Sequence, residues 1–590
     1  MNAPRRLRGA FVRASRGLRA LVAASALSVF PPAVAQAPPA EAPRVRSSAA
    51  LTLVNVDVVV TGKDGRPVEG LTAEDFVVLH DGKPVVITNF REEKRGAPRP
   101  APTAPEAKAV PAPAEPAPAP APAERVRRHL LFFFDDVALP EARERETLFG
   151  SMKNIVRTSI EPGDDAMIVT WRRGIRRVFP FTGDVPLLER RLEAVARDAG
   201  QLGTETQTEL DQLAADDAFY AWAGEGQGVE AGDSRLTRNR LIQERYAEVR
   251  AKLGALKGLM AVMSGLEGRK TLLLVSRRLS KSAGAEYEYA YQRSQNSRSG
   301  IPGSSVRSEP VSGVNTRPFI DALTKSANAA GVTIHAIYAE AWSTGLPSAA
   351  SSGAGRIAAR TEAYTAVPPS QEPWMNEMTT LGLVTEKTGG VVVGDTRQAP
   401  LFAERVASDL AHWYSIGYPK PEGSGTTESI SVRVKRPGLE VRSRREFVER
   451  PAGEVMRERV LAGLFRKDEA ARLPFALTFG PPVKEKKDRW RTPLLVRVPV
   501  RSLALLPDAD HVKGAVTIWW VSATPAGEVS DVRKERHELR VPADSAGPAS
   551  TVVFSLETEV EAVDPASRIS VCVQDETSGD AGFRLIRPGG

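Results

Sequence analysis

The stretch HLLFFFDD (residues 129–136) decides the fold of the central part of this 590-residue chain. A continuous apolar run that is polar only at its ends is typical of a strand buried on both faces of a parallel sheet. Two carboxylates, Asp135 and Asp136, follow at its carboxyl end. We therefore expect both at the edge of the sheet where the carboxyl ends of parallel strands meet.

Strand and helix patterns alternate on the carboxyl side of this stretch. Helical spacing of apolar residues separates the strands, and a last helix is indicated for LFAERVASDLAHWY (401–414). This alternation predicts a doubly wound, Rossmann-like α/β domain with a mostly parallel sheet. The strands are indicated for DAMIVTW (165–171), IRRVFPFT (175–182, an edge strand), TLLLVS (271–276), VTIHAIY (332–338) and VVVGD (391–395).

The whole chain divides into segments of distinct composition. We predict a signal peptide, a flexible start, a small β module, a Pro/Ala-rich linker, the α/β domain, a β-strand pair, a helical connector and a C-terminal β-sandwich. The fold class is therefore multidomain, α/β plus all-β. The bounds, in that order, are 1–35, 36–48, 49–95, 96–124, 127–418 (with loop insertions at 281–314 and 343–370), 426–448, 452–466 and 470–590.

The N-terminus has the organisation of a secretory signal. Six arginines precede the apolar run Ala20–Val34, and Ala33-Val34-Ala35 is a signal peptidase pattern. Cleavage after Ala35 removes six of the positive charges, which leaves 8 − 6 = +2 on the mature chain. We therefore expect an exported protein, periplasmic or extracellular, with no membrane span after cleavage and no electrostatic basis for binding nucleic acid.

Sequence patterns of known enzyme classes are missing from the chain. It has no G-x-S-x-G elbow, no phosphate-binding G-x-x-x-x-G-K and no H-E-x-x-H. The single Cys572 excludes a disulfide framework and every multi-cysteine metal site. His335 lies within VTIHAIY and is interpreted as a core residue. We predict a non-enzymatic protein without a cofactor.

Two aromatic clusters raise the question of a ligand. Trp413-Tyr414 with Tyr418 is interpreted as packing. For Trp519-Trp520, packing and stacking on a carbohydrate both stay open, because adjacent residues of a strand face opposite ways and one ring would then be exposed.

Three stretches resemble the von Willebrand factor type A-related proteins of Acidobacteria. Together they cover about residues 50–447 and leave 470–590 unmatched. The resemblance implies a type A domain, and many such domains bind a divalent cation at the carboxyl edge of the sheet. The stretches are VDVVVTGKDGRPVEGLTAEDFVVLHDGKPVVITNF (56–90), the series from Leu130 to Tyr418 with FFFDD and TEKTGGVVV near its ends, and WYSIGYPKP followed by SVRVKRPGLEVRSRREF.

The ligand pattern that this resemblance implies is only partly present. The family pattern is Asp-x-Ser-x-Ser after the first strand, a threonine from a second loop and an aspartate after the fourth strand. Asp135 matches the first aspartate and Thr204 the threonine, but Arg277 or Arg278 stands where the last aspartate is expected. Such an arginine repels a cation or pairs with Asp135 or Asp136. The serine positions are Val137 and Leu139, or Ala138 and Pro140 if the count starts at Asp136.

The resemblance and the residues together favour protein binding. We expect a degenerate Mg²⁺ or Mn²⁺ site at Asp135, Asp136 and Thr204 and a secreted, adhesion-type protein. Its binding surface is expected around these residues and Arg277, and its protein ligand is unknown. Two alternatives stay open: a structural module of a periplasmic or surface assembly, and an envelope enzyme with chemistry in the C-terminal β domain.

Overall fold

The computed structural model describes most of the chain from Leu53 onward. Among the described residues, no helix is both long and apolar enough to cross a membrane. The predicted signal peptide, flexible start, Pro/Ala-rich linker and insertion at 343–370 lie outside them. The described residues are 53–95, 126–135, 142–201, 209, 212–213, 215–216, 232–277, 279–298, 313–339, 371–421, 426–466, 472–486, 489–525, 528–545, 547, 550, 552–562 and 564–587.

Among the described residues, four strands of the predicted N-terminal β module come first. They are β1 (Leu53–Thr61), β2 (Phe76–His80), β3 (Lys83–Pro84) and β4 (Asn89–Lys94). The apolar stretch PVVITNF (84–90) predicts one continuous strand, but β4 begins only at Asn89, and Val86 before it is 79% exposed. Asp81 and Gly82 join β2 to β3 with φ of 48° and 76°, as a two-residue hairpin turn requires.

Strands and helices alternate through the central region. The segment 281–314 is not a plain loop insertion as expected, because α4 occupies residues 285–298 and buries Tyr287 and Ala290. The elements are β5 (Arg128–Asp135), α1 (Ala142–Ser159), β6 (Asp165–Trp171), β7 (Ile175–Thr182), α2 (Val185–Gln201), α3 (Gly232–Ser264), β8 (Arg269–Ser276), β9 (Ser282–Ala283), α4 (Ala285–Arg298), β10 (Val314–Asn315), α5 (Arg317–Ala330), β11 (Val332–Tyr338), α6 (Gln371–Thr388), β12 (Val392–Val393) and α7 (Ala399–Ala411).

Six of these strands form the central sheet, in the order β12-β11-β8-β5-β6-β7. Neighbours are parallel except for β6 and β7. This is the doubly wound order 3-2-1-4-5-6, in which the direction of winding reverses between the first and fourth strands, here β5 and β8. The apolar run of β5 serves both faces: Leu131 and Phe133 pack with α3, α5 and α6, and Phe132 packs with α1, α2 and α7.

The segments on either side of this α/β region form one β-sandwich. Its sheets have the orders β15-β1-β13-β4 and β16-β14-β2-β3. Strands that the sequence analysis assigned to two separate segments are therefore paired, for example β1 with β13 and β2 with β14. The α/β region is thus inserted between the two halves of the sandwich. The additional strands are β13 (His412–Pro419), β14 (Thr427–Val434), β15 (Glu440–Ser443) and β16 (Glu446–Val448).

The last predicted helix is shorter than expected, because His412–Pro419 belongs to the sandwich. The helix ends at Ala411, and Trp413, Tyr414 and Tyr418 are strand residues. Tyr414 is fully buried, and its hydroxyl donates to the carbonyl of Val68 at 2.7 Å. The Tyr418 hydroxyl lies 2.9 Å from His80 Nδ1 inside the same sandwich. In the structure this aromatic cluster packs within the protein.

Two arginines, one buried and one partly buried, join the sandwich to the amino edge of the central sheet. Arg442 of β15 forms a bidentate pair with Asp409 of α7, with N–O distances of 2.6 and 2.7 Å. The guanidinium of Arg269, at the start of β8, lies 4.2 Å from the ring centroid of Trp413 in β13. Bidentate and cation–π contacts of this kind fix orientation as well as contribute stability.

Lys270, the next residue of β8, is a cation without a carboxylate within ion-pair distance among the described residues. Its ammonium donates to the carbonyl of Leu266 at 3.0 Å. Burial, reinforced by nearby Arg450, lowers the pKa of Lys270 to about 8. The folded protein therefore holds this positive charge at a cost in free energy at neutral pH.

We expect Lys270→Met to raise the free energy of unfolding at pH 7 by about 1–2 kcal/mol. The pKa of the unfolded chain is about 10.4, so wild-type stability rises as the pH increases from about 8 to about 10.5. The advantage of the variant should shrink over that interval. Urea denaturation at several pH values measures both effects. A gain that does not depend on pH, or an equal gain from exposed Lys257→Met, would contradict the expectation.

The C-terminal region forms a second two-sheet structure. One sheet has the order β17-β19-β18 with β23 paired to β19, and the other β20-β21-β24-β25 with β22 paired to β21. Apolar residues of both sheets meet in one core. The elements are α8 (Ala452–Ala462), β17 (Ala476–Phe479), β18 (Val483–Lys486), β19 (Arg489–Pro499), β20 (Leu506–Asp508), β21 (His511–Ala523), β22 (Arg533–Pro542), β23 (Val553–Ala562), β24 (Arg568–Asp575) and β25 (Ala581–Ile586).

Neither Trp519 nor Trp520 presents an open face for a carbohydrate. Each is only 9% exposed, because Trp520 packs in the core between the two sheets and Trp519 in the cluster formed with α8. The indole nitrogen of Trp519 donates to Gln574 Oε1 at 3.2 Å. Cys572 is fully buried beside Met456 of α8. Of the two interpretations left open, the structure shows packing for both tryptophans, since α8 covers the outer face.

Candidate functional site

The carboxyl ends of β5 and β8 flank the point at which the winding of the central sheet reverses. In doubly wound sheets, ligands bind in the crevice outside the strands at such a point. Asp135 is the last residue of β5 and Ser276 the last residue of β8. The Ser276 hydroxyl donates to Asp135 Oδ2 at 2.5 Å. Both residues are fully buried.

A lysine from α3 fills this crevice. The Lys252 ammonium lies 2.8 Å from Asp135 Oδ1, and both side chains have zero exposure. The same ammonium donates to the main-chain carbonyl of Arg277 at 3.2 Å and lies 3.8 Å from Glu248 Oε1. Helix α3 is held in this position by Leu253 and Leu256, which belong to the apolar core on that face of the sheet.

The ion pair continues outward into a network of charged residues. Arg245, about two turns before Lys252 in α3, is 2% exposed and contacts three carboxylates. These are Glu248 at 2.6 Å, Glu209 at 2.9 Å and Glu286 at 3.0 Å. The Tyr287 hydroxyl accepts from Arg245 at 2.6 Å and donates to Glu209. Helix α4, which carries Glu286 and Tyr287, is thereby tied to α3 beside the crevice.

The electrostatics of this network follow from its burial. Burial raises the pKa of the Asp135 carboxyl, while Lys252 and Ser276 oppose that rise. Burial alone would lower the pKa of Arg245, but Glu286 and the other acidic neighbours hold it well above its ordinary value. Burial also raises the pKa of Tyr287. Arg245 is therefore a permanent positive charge, and Tyr287 stays protonated at neutral pH.

Within the part of the chain that the structure describes, the surroundings of Asp135 do not fit a divalent cation. The Lys252 ammonium lies within ion-pair distance of the carboxylate that would bind such an ion, and two positive charges repel at this distance. The sequence offers Val137 and Leu139 at the two serine positions, and neither side chain has an oxygen ligand. Among the residues that the structure describes, no group of three or more His, Cys, Asp or Glu side chains is arranged to hold a metal ion.

The structure describes two of the four residues that were predicted for the site, Asp135 and Arg277. Asp135 lies at the carboxyl edge but is buried under Lys252, not exposed as expected for a binding surface. Arg277 adjoins it and contributes its carbonyl oxygen. Asp136 and Thr204 lie outside the described residues, as does Arg278. The partner of Asp135 is thus a lysine 117 positions further along the chain (252 − 135), whereas arginine had been considered.

Sequence reasoning missed Lys252, although a signal was present. In RYAEVRAKLGALKGLM (245–260) the apolar stripe contains Val249, Leu253, Leu256 and Met260, and Lys252 lies beside this stripe. A cation next to the buried stripe of a helix needs a buried carboxylate, because an unpaired buried charge is very costly. The carboxylates at the end of the central strand were the available candidates.

Two histidines, His335 and His80, are buried in the described structure. His335 of β11 is 1% exposed, and its Nδ1 accepts the main-chain N–H of Val391 at 3.3 Å. Burial lowers the pKa of His335 to about 4, even though Asp409 opposes the change. His80 lies 2.5 Å from Glu428 in the interior of the first sandwich. Neither ring faces a surface on which a substrate could bind.

No family model and no curated protein matches the chain. A comparison with solved structures finds three that are similar to part or most of this chain at low TM-score. They are an aerotolerance-related membrane protein from Bacteroides fragilis (8% identity, TM-score 0.23, 48% of this chain and 98% of that chain), the vWF domain of the type V pili tip protein Mfa5 from Porphyromonas gingivalis (12%, 0.20, 48% and 94%) and the pilus adhesin SpaC from Lactobacillus rhamnosus GG (9%, 0.20, 90% and 61%). At such TM-scores these likenesses imply nothing about the site.

Proposed function

We propose that this chain is an exported, non-enzymatic protein that binds a protein partner at the carboxyl edge of its central sheet without a metal ion. The observation that carries this proposal is the buried Lys252–Asp135 pair. It fills the crevice in which a doubly wound sheet would bind a small ligand. A partner that binds at this edge therefore contacts the surface around the crevice and not its interior.

An arginine-rich turn supplies part of that surface. Arg172, Arg173 and Gly174 join β6 to β7 at the carboxyl edge, beside Ile175, which is 47% exposed. Arg277 follows β8 on the same edge. Basic side chains next to an exposed apolar residue favour a partner with an acidic surface, because opposite charges accelerate and orient association.

The backbone of Arg173 supports a role for its side chain. Its φ is 54°, a left-handed conformation that costs a non-glycine residue roughly 1 kcal/mol. Its guanidinium lies 3.9 Å from Glu209 Oε1, and the other oxygen of Glu209 binds Arg245. Residues held in such conformations cluster at functional sites. Glycine would fit this turn position without strain.

Arg173→Gly tests the proposal. Relief of strain and the extra freedom of glycine in the unfolded chain nearly cancel, so the free energy of unfolding should stay within about 1 kcal/mol. The affinity for the partner should fall about tenfold, as expected for the loss of one charged contact. The mature chain is immobilised and captures the partner from an envelope extract that contains a chelator. The purified partner is then titrated against each variant.

The matched control is Arg497→Ala. Arg497 is exposed on β19, which belongs to the C-terminal sheets and lies far along the sequence from this edge. It should bind as tightly as the wild type. Capture that requires a divalent ion, or equal affinity for wild type and Arg173→Gly, would refute the proposal.

A further inference from the structure

The Lys252 ammonium is surrounded by oxygen atoms from three separate elements. Asp135 Oδ1 from β5 lies at 2.8 Å, the Arg277 carbonyl oxygen after β8 at 3.2 Å, and Glu248 Oε1 from α3 at 3.8 Å. The Ser276 hydroxyl is one hydrogen bond away, on the second oxygen of Asp135. Carboxylate, carbonyl and hydroxyl oxygens converging from different segments are the ligand set that hard divalent cations prefer.

A second carboxylate lies near the ammonium besides that of Asp135. Two carboxylates, Asp135 and Glu248, face one ammonium. Glu248 is shared, because its other oxygen binds Arg245 at 2.6 Å. Where stability alone matters, a buried ion pair is replaceable by apolar residues of similar volume. The three oxygen atoms match the three N–H donors of the ammonium, so the crevice is built to hold a cation at this point.

We propose that Lys252 acts as a tethered cation in the position of a divalent metal ion, and that its removal converts this cage into a Mg²⁺ or Mn²⁺ site formed by Asp135, Glu248 and the Arg277 carbonyl. The tether makes the edge permanently assembled and independent of the metal concentration. This inference concerns the interior of the crevice and does not rest on the proposed partner binding.

The critical variant is Lys252→Ala. Truncation at Cβ removes the charge and four heavy atoms of the side chain, which leaves space for an ion with bound water. Mg²⁺ and Mn²⁺ usually keep several water ligands, so two carboxylates and a carbonyl are a sufficient protein contribution. Lys252→Met is the matched control, because it removes the charge but keeps the crevice filled.

The experiment measures thermal melting and calorimetric binding of the chelator-treated mature chain with Mn²⁺ and with Mg²⁺. We expect no response from the wild type or from Lys252→Met. Lys252→Ala should melt earlier than the wild type and regain on the order of 5 °C at saturating Mn²⁺. The double variant Lys252→Ala/Asp135→Ala should lose this recovery.

Two results would overturn the inference. One is saturable Mn²⁺ binding by the wild type that Asp135→Ala abolishes, since the lysine would then not replace the ion. The other is a folded Lys252→Ala variant that fails to bind Mn²⁺. If Lys252→Ala does not fold in chelator, it is refolded from urea with and without Mn²⁺. Recovery only with Mn²⁺ supports the inference, and equal failure in both conditions counts against it.

Discussion

Lys252→Met is expected to lower the free energy of unfolding by about 3–5 kcal/mol, because it leaves the buried Asp135 carboxylate without its counter-charge. The double variant Asp135→Asn/Lys252→Met removes both charges. Its asparagine can still accept the Ser276 hydroxyl, so it should recover most of the loss. Urea denaturation followed by tryptophan fluorescence measures the free energy of unfolding of the wild type, the single variant and the double variant.

The control for this prediction lies on the same helix. Lys257 is exposed on α3, and Lys257→Met should change stability by no more than about 0.5 kcal/mol. A loss for Lys252→Met no larger than that of the control would show that the pair is not coupled. A double variant as unstable as the single one would show that the damage comes from packing and not from the unpaired carboxylate.

Acid is expected to remove about 3 kcal/mol of stability between pH 6.5 and pH 4 through His335. Its pKa is about 4 in the folded protein and about 6.5 when unfolded, so only the unfolded state takes up a proton in this interval. The contribution of the neutral ring is present above pH 6.5 and is lost as the pH falls through 4. His335→Gln keeps an acceptor for Val391 and should flatten the stability profile over this interval.

A second titration is separated from this one by its pH range. Burial would raise the pKa of Glu92, but the N–H of Gly70, together with His412 and Tyr414, lowers it to about 2. Its contribution is therefore lost only below about pH 4.5. The matched control for His335→Gln is His511→Gln. The His511 ring lies on β21 and is partly exposed. Parallel pH profiles for wild type and His335→Gln would contradict the assignment.

Local patterns were sufficient to predict the central sheet. The apolar run of β5 is long and symmetric because Phe132 and Phe133 pack against helices on opposite faces. This pattern is visible in consecutive residues, so the strand can be predicted without information about distant parts of the chain. Asp135 at its carboxyl end was placed by the same reasoning.

Features that depend on distant contacts could not be predicted in this way. The pairing of β1 with β13 joins Val58 to Tyr414, and a strand pattern does not name its partner. Helix α4 lies in a stretch of sequence rich in Tyr, Ser and Gly. The helix is held in place by the contacts of Glu286 and Tyr287 with Arg245. Trp519 is covered by α8, which follows the first sandwich in sequence. In each case the deciding contact lies far away in the chain.

The insertion of the α/β region into the first sandwich sets an order for folding during synthesis. The Leu71 N–H and the Tyr414 hydroxyl that it binds are separated by 343 residues. Strands β1 to β4 are therefore made long before their partners and have unpaired edges until β13 and β14 emerge from the ribosome. Contacts this non-local form slowly, whereas the α/β region has most of its own partners at hand. Closure of the sandwich thus reports that everything between its two halves has been made, and a chain interrupted before residue 412 carries aggregation-prone strands that nothing in it can cover.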